Sequence, residues 1–271
     1  MALMAEVRRT VAGLGWVGAP RTGGELLVVG PSLGTSVEAL WGACADRLGG
    51  RFDVLGWELP GHRSGVPATA PFTVEELAAQ VVAGVNELWG PGAFRYAGDS
   101  LGGAVGLVLL VDHPDRVSAA TLACTSARFG APRMWRERAA LVRAEGTEAV
   151  VKGSRERWFS PGFADREPAA VEALIDALRA VDDESYALAC EALAEFDLRQ
   201  RLPRIDRPLA LIAGRDDVAT PVADAQRIVN AVPGARLTIL DDVAHLAPIE
   251  APDRVAAILS NWPAAALEST A

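Results

Sequence analysis

Short, wholly apolar runs recur along the chain, separated by stretches whose apolar residues return every three or four positions. The run LLVVG, closed by Pro31, Gly34 and Thr35, predicts a buried strand ending in a loop, and the segment from Val37 to Leu48 predicts a helix. FDVLGWELPGH predicts a strand that runs into a turn. Thr73 followed by Glu76 is a capping-box signature, opening a helix that carries Val74, Leu77, Val81, Val85 and Leu88 on one side. FRYAG predicts a strand leading through GDSLGG into the helical run AVGLVLLVDH, and VSAATLACT predicts the next strand. Strands that alternate with helices and are apolar on both faces imply a mostly parallel central sheet with helices on both sides, an α/β fold.

From Ser126 to Leu202 the strand-like runs give way to charged, alanine-rich amphipathic stretches such as EPAAVEALIDALRAV and SYALACEALAEF. Residues 126–202 therefore read as a helical insertion, with 1–125 and 203–271 forming one α/β core. The alternating pattern resumes with PLALIAG, a helix from Val222 to Ala231, the strand ARLTIL and a last helix after Pro252. An insertion between two parallel strands lies over their carboxyl ends as a cap. The final PAAALESTA reads as a frayed tail.

Composition narrows the function classes. The 271 residues suit one large domain, and with 50% hydrophobic and 23% charged residues the whole chain cannot be disordered. No apolar run approaches the roughly 18 residues of a membrane span. MALMAEVRRT lacks the apolar stretch of a secretory signal, and Cys44, Cys124 and Cys190 lie far apart with no CxxC spacing, which leads us to expect reduced thiols in a cytoplasmic protein. The net charge of −9 opposes nonspecific binding to nucleic acid, and an anionic substrate would need a local cationic anchor.

Gly98-Asp99-Ser100-Leu101-Gly102 is a GxSxG sequence between a predicted strand and a predicted helix. In that context it is a tight turn that presents a serine hydroxyl at a helix start, where backbone N–H groups favour developing negative charge. The plainer reading, a glycine-rich turn in a chain with 26 glycines, loses weight because of the strand and helix on either side. A hydroxyl needs a base to act as a nucleophile at neutral pH. Of the three histidines, His62 in LPGHRSG reads as a loop stabiliser and His113 as the end of the helix after the turn. His245 follows the last strand, on the same edge of the sheet as Ser100, and is the expected base. IAGRDDVATP offers Asp216 and Asp217 after the preceding strand; Asp217 is expected to orient the histidine and Asp216 to be a solvated turn residue. The oxyanion donors expected of such a site are the backbone N–H groups of Leu101 and Leu33.

With these residues identified, the sequence resembles the 3-oxoadipate enol-lactonases of the α/β-hydrolase superfamily. LLVVGPSLGTSVEALW, LPGHRSG, GDSLGGAVG, HPDRV, IAGRDDVATP and HLAPIEAP carry the likeness across almost the whole chain, and most of these segments are common to many α/β-hydrolases. The more specific stretches are SLGTS, the cap entry CTSARFGAPRMWRERAALVRAEG and RWFSPGF. The resemblance implies hydrolysis of an enol-lactone bearing an acetate side chain to 3-oxoadipate, in the β-ketoadipate pathway of aromatic catabolism, with no metal or organic cofactor. Asp99 and Pro31 depart from the residues usual in relatives.

A substrate of that kind needs a partner for its carboxylate, and the cap entry supplies Arg128, Arg133, Arg136 and Arg138. Arg128 comes soonest after a strand and is the expected anchor; Trp135 is the expected apolar wall. Other esterases, carbon–carbon bond hydrolases and, with less support, a noncatalytic receptor on this fold are the rival readings.

Overall fold

Among the described residues, six parallel strands form the central sheet: β2 (Glu25–Gly30), β3 (Phe52–Gly56), β4 (Phe94–Asp99), β5 (Val117–Ala123), β6 (Leu209–Gly214) and β7 (Arg236–Leu240). The two-residue β1 (Gly15–Trp16) adds antiparallel to β3, giving the order β1-β3-β2-β4-β5-β6-β7. The computed structural model describes residues 13–18 and 23–261. The amino-terminal MALMAEVRRT and the tail PAAALESTA lie outside the described residues.

The inner strands are apolar at successive positions because both faces are covered: β4, β5 and β6 are buried at every residue. β7, at the sheet edge, is mostly exposed. Between the strands run α1 (Val37–Arg47), α2 (Val74–Leu88), α3 (Leu101–Asp112) and α9 (Val222–Ala231), and α11 (Pro252–Asn261) closes the core. α3 is buried from Leu101 to Val111, which accounts for a sequence that is apolar all round. α2 opens on the expected capping box: the Thr73 hydroxyl accepts from Glu76 N–H at 3.1 Å, and the Glu76 carboxylate accepts from Thr73 N–H at 2.8 Å.

Five helices lie between β5 and β6: α4 (Pro132–Glu145), α5 (Glu148–Trp158), α6 (Phe163–Arg166), α7 (Pro168–Arg179) and α8 (Asp183–Glu195). α7 buries Val171, Leu174, Ile175 and Leu178, a one-faced helical spacing. α4 packs along α8. Hydrogen bonds fasten this insertion to the core. Asp182 N–H donates to Gly61 O (3.0 Å) and Ala68 N–H to Ser185 Oγ (2.9 Å). His245 N–H donates to Trp158 O (3.1 Å), and Ser160 N–H to a Glu250 carboxylate oxygen (2.7 Å). Within the insertion, Leu198 N–H donates to Ala127 O (2.8 Å), closing its two ends on each other.

The strand order reverses at β2: β3 lies on one side and β4 on the other. The crevice outside the carboxyl ends at such a switch point is where open α/β sheets bind ligands. The loop holding Leu33 follows β2, and Ser100 follows β4.

Candidate active site

Ser100 links β4 to α3 with φ 53° and ψ −111°, a conformation that costs a non-glycine residue energy and persists only where its surroundings hold it. Glycines make the turn possible. A Cβ on Gly98 would lie 2.2 Å from Gly102 O, and one on Gly102 would lie 2.6 Å from the Gly30 carbonyl. Gly102 N–H donates to Pro31 O (2.9 Å), tying the start of α3 to the loop after β2.

The structure brings Ser100, His245 and Asp217 into one hydrogen-bonded chain, with each side chain almost fully buried. His245 Nε2 is 2.9 Å from Ser100 Oγ, and His245 Nδ1 is 2.9 Å from Asp217 Oδ2. The other Asp217 oxygen accepts from Ala219 N–H (2.8 Å) and Thr220 N–H (3.0 Å), while the Thr220 hydroxyl donates to Oδ2 (2.7 Å). Burial alone would raise the Asp217 pKa, but His245 and the Thr220 donors outweigh it and hold the carboxyl below its usual range. Asp216 is exposed. An ionised carboxylate on Nδ1 fixes the tautomer whose Nε2 accepts the serine proton.

Leu33 N–H and Leu101 N–H donate to no other group among the described residues. Leu33, Ser100 and His245 line a cavity of about 470 Å³ with Trp135, Arg138, Arg157 and Tyr186. Trp135, expected as an apolar wall, lines this cavity, and its indole N–H donates to Phe129 O (2.8 Å).

The cavity differs from the sequence expectation in its cations. Arg128 lines a separate hollow of about 490 Å³ with Arg199 and Arg227, not the cavity at Ser100. Distance along the chain from β5 misleads here, because the loop turns away before α4 begins. Arg138, one helical turn beyond Trp135, shares its face of α4 and reaches the cavity. Its guanidinium lies over the Trp135 and Tyr186 rings and donates to Ser154 Oγ (3.0 Å). Arg157 comes from α5, where a Cβ on Gly153 would meet its Nη1 at 2.8 Å, so the glycine leaves room for the guanidinium. Neither arginine forms an ion pair with a carboxylate among the described residues, and Nε of Arg138 is buried without a partner. Burial and the Arg138 charge lower the Arg157 pKa. The three-residue spacing from Trp135 to Arg138 is a sequence signal that would have favoured Arg138; no comparable signal marks Arg157.

His113 ends α3, about 20 Å from Ser100 at 1.5 Å per residue. His62 is buried against the loop after β2. Asp99 is fully buried and does not line the cavity. The three cysteines are free and buried. Among the described residues no group of three His, Cys, Asp or Glu side chains could hold a metal ion, and no helix is long and apolar enough to cross a membrane.

Residues 26–258 match the model of the alpha/beta hydrolase family. The chain is 33% identical over 226 residues to 3-oxoadipate enol-lactonase 2 of Acinetobacter baylyi, covering 83% of this chain and 84% of the relative. It is 28% identical over 226 residues to a pimeloyl-[acyl-carrier protein] methyl ester esterase of Vibrio vulnificus, covering 79% and 85%. Among solved structures, the enol-lactonase of Burkholderia xenovorans superposes with a TM-score of 0.88 at 30% identity, covering 93% of this chain and 96% of that one.

Proposed function

The chain belongs to the alpha/beta hydrolase family, and from that premise we propose that it opens the ring of 3-oxoadipate enol-lactone through an acyl-enzyme on Ser100. The observation that carries the reading is the 2.9 Å contact between His245 Nε2 and Ser100 Oγ beside a cavity that also holds two arginines without carboxylate partners. His245 takes the Ser100 proton as the hydroxyl attacks the lactone carbonyl, while Asp217 stabilises the imidazolium. The Leu33 and Leu101 N–H groups receive the developing oxyanion. Ring opening expels an enol, a better leaving group than an alcohol, and His245 returns the proton to it. The enol tautomerises to the ketone. Water activated by His245 then releases the acyl group as a carboxylate.

Residues 126–202 act as the cap over this site. Arg138, supported by Arg157, holds the acetate carboxylate, and the wall of Trp135 and Tyr186 excludes water from that contact. The similarity to methyl ester esterases supports a second reading, hydrolysis of an open-chain ester by the same catalytic groups.

One kinetic comparison tests the proposal, using the enol-lactone and a neutral nitrophenyl ester. Ser100→Ala should abolish turnover of both. Arg138→Ala should lower kcat/KM for the lactone by about tenfold to somewhat over a hundredfold, the worth of a hydrogen bond to a charged group, and spare the neutral ester. Arg128→Ala should spare both. Equal losses on the two substrates in Arg138→Ala would remove the anchor, and lactone turnover far below that of the ester would favour the second reading.

A further inference from the structure

His62 touches no reacting atom in the mechanism above, yet both nitrogens of its buried ring are committed to backbone. Gly34 N–H donates to Nε2 at 3.0 Å, and Nδ1 lies 2.9 Å from Pro60 O. A backbone N–H only donates and a carbonyl only accepts, so these partners fix the neutral tautomer: the proton is on Nδ1, and Nε2 is the acceptor. The Gly34 N–H belongs to the four-residue turn Ser32–Thr35. Ser32 O accepts from both Thr35 N–H (3.1 Å) and the Thr35 hydroxyl (2.9 Å), and Gly34 has φ +85°, as the third position of a type II turn requires. The carbonyl of Ser32 and the N–H of Leu33 are opposite edges of one planar peptide unit. Clamping that carbonyl against Thr35 turns the Leu33 N–H the other way, and the clamp holds only while Gly34 keeps its left-handed conformation.

We infer that His62 is a positioning residue for the reaction: as the acceptor of Gly34 N–H, it keeps the Ser32–Thr35 turn closed and the Leu33 N–H aimed at the oxyanion. The inference rests on the hydrolase reading, in which Leu33 supplies one of the two oxyanion donors. Several features make His62 a fixed support. Its ring stacks on Tyr186 of α8, with centroids 6.4 Å apart and planes at 16°. Gly61 is pressed against the same helix, where a Cβ would lie 2.4 Å from Ser185. Burial pushes the His62 pKa down to about 4, so the ring stays neutral and Nε2 stays an acceptor through the neutral range. Without an acceptor, Gly34 N–H would be a buried donor with no partner, and the turn would relax to satisfy it.

Paired substitutions separate the two ring nitrogens. The side-chain amide of His62→Asn reaches the Nδ1 position and can still donate to Pro60 O, but leaves Gly34 N–H unpaired. His62→Gln places an acceptor near Nε2. Turnover is followed with a neutral nitrophenyl ester. Binding is followed with an alkylboronic acid, which adds to the Ser100 hydroxyl as a tetrahedral anion, and with a short carboxylate that occupies the cavity without reacting. His62→Asn should lower kcat by about ten- to a hundredfold, less than the 10²–10³ typical of deleting an oxyanion donor outright. Its KM and carboxylate affinity should stay within about twofold of wild type while boronate affinity falls in parallel with kcat/KM. His62→Gln should recover most of both.

Thr35→Val cuts the other side of the clamp and should give the same signature at smaller size, providing the test if His62→Asn does not fold. A wild-type protein that hydrolyses the ester and binds boronate, with variants that lose KM and carboxylate affinity as much as kcat, would overturn the inference and leave the function standing. Unchanged boronate affinity in the variants would do the same. A wild-type protein that neither turns over the ester nor binds boronate would overturn both.

Discussion

Asp99 sets an ionisable group beside the serine with no exposed surface, and neither carboxyl oxygen has a hydrogen-bond partner. Burial, then the charges of Asp217 and Glu250, push its pKa well above the usual range. In the unfolded chain the carboxyl ionises near its ordinary value of about 3.9. A folded pKa raised above that value adds nothing against folding in acid, where both states are protonated, and costs stability as pH rises toward the folded value. Asp99→Asn should therefore raise the melting temperature, with a gap over wild type that widens between about pH 4 and pH 7, each kcal/mol moving Tm by about 2–4 °C in a chain of this size. Melting curves that stay parallel across that range would show that Asp99 ionises as freely in the folded protein as in the unfolded one. Ser100, His245 and Asp217 could be picked out in the sequence because each follows a strand at one edge of the sheet, and short turns carry them no further. The cations could not be ranked that way: Arg138 reaches the cavity through the face it shares with Trp135 on α4, whereas Arg128 opens onto another hollow.

Turn and helix chemistry act at the scale of elements. The passage from β4 to α3 depends on backbone approaching backbone where side chains are absent, and Gly102 sits against the Gly30 and Pro31 carbonyls. Gly102→Ala would drive a Cβ into main-chain atoms of two elements that cannot rotate away, as a flexible side chain would. A cost of about 1–3 kcal/mol is expected from such overpacking, read as a lower denaturant midpoint at unchanged slope. Esterase activity should fall further than stability does, since the displaced loop carries Leu33. A variant as stable and active as wild type would mean that the loop after β2 yields freely. The sequence displayed these elements where they carry a chemical signature: the Thr73 and Glu76 capping box, the all-apolar α3 and the spacing of Val171, Leu174, Ile175 and Leu178 on α7. It did not display β1, whose two residues are too few for any periodicity, or the four-residue helix α10 (Ala247–Glu250).

Across the whole molecule, the contacts that hold the helical insertion together and those that join it to the core are of very different worth. Arg143 on α4 pairs with Glu184 (2.8 Å) and Glu191 (2.5 Å) of α8, but all three side chains are at least a third exposed. Solvent screening holds such pairs to roughly 0.2–1 kcal/mol. Arg143→Met should accordingly shift the denaturation midpoint by about 1 kcal/mol or less and leave kcat/KM for the ester unchanged. A larger loss would make these ion pairs the tie that holds α4 to α8. The bond from His245 N–H to Trp158 O is a different kind of connection, because the acceptor belongs to the insertion and the donor to the residue proposed as the base. It bears on how a fold of this kind can be recombined. A chimera that exchanges helices between residues 132 and 157 inherits an intact seat for the histidine, whereas one whose splice point falls within 158–160 must rebuild that seat from foreign sequence. Transplants of new specificity onto this scaffold have their natural border just before Trp158.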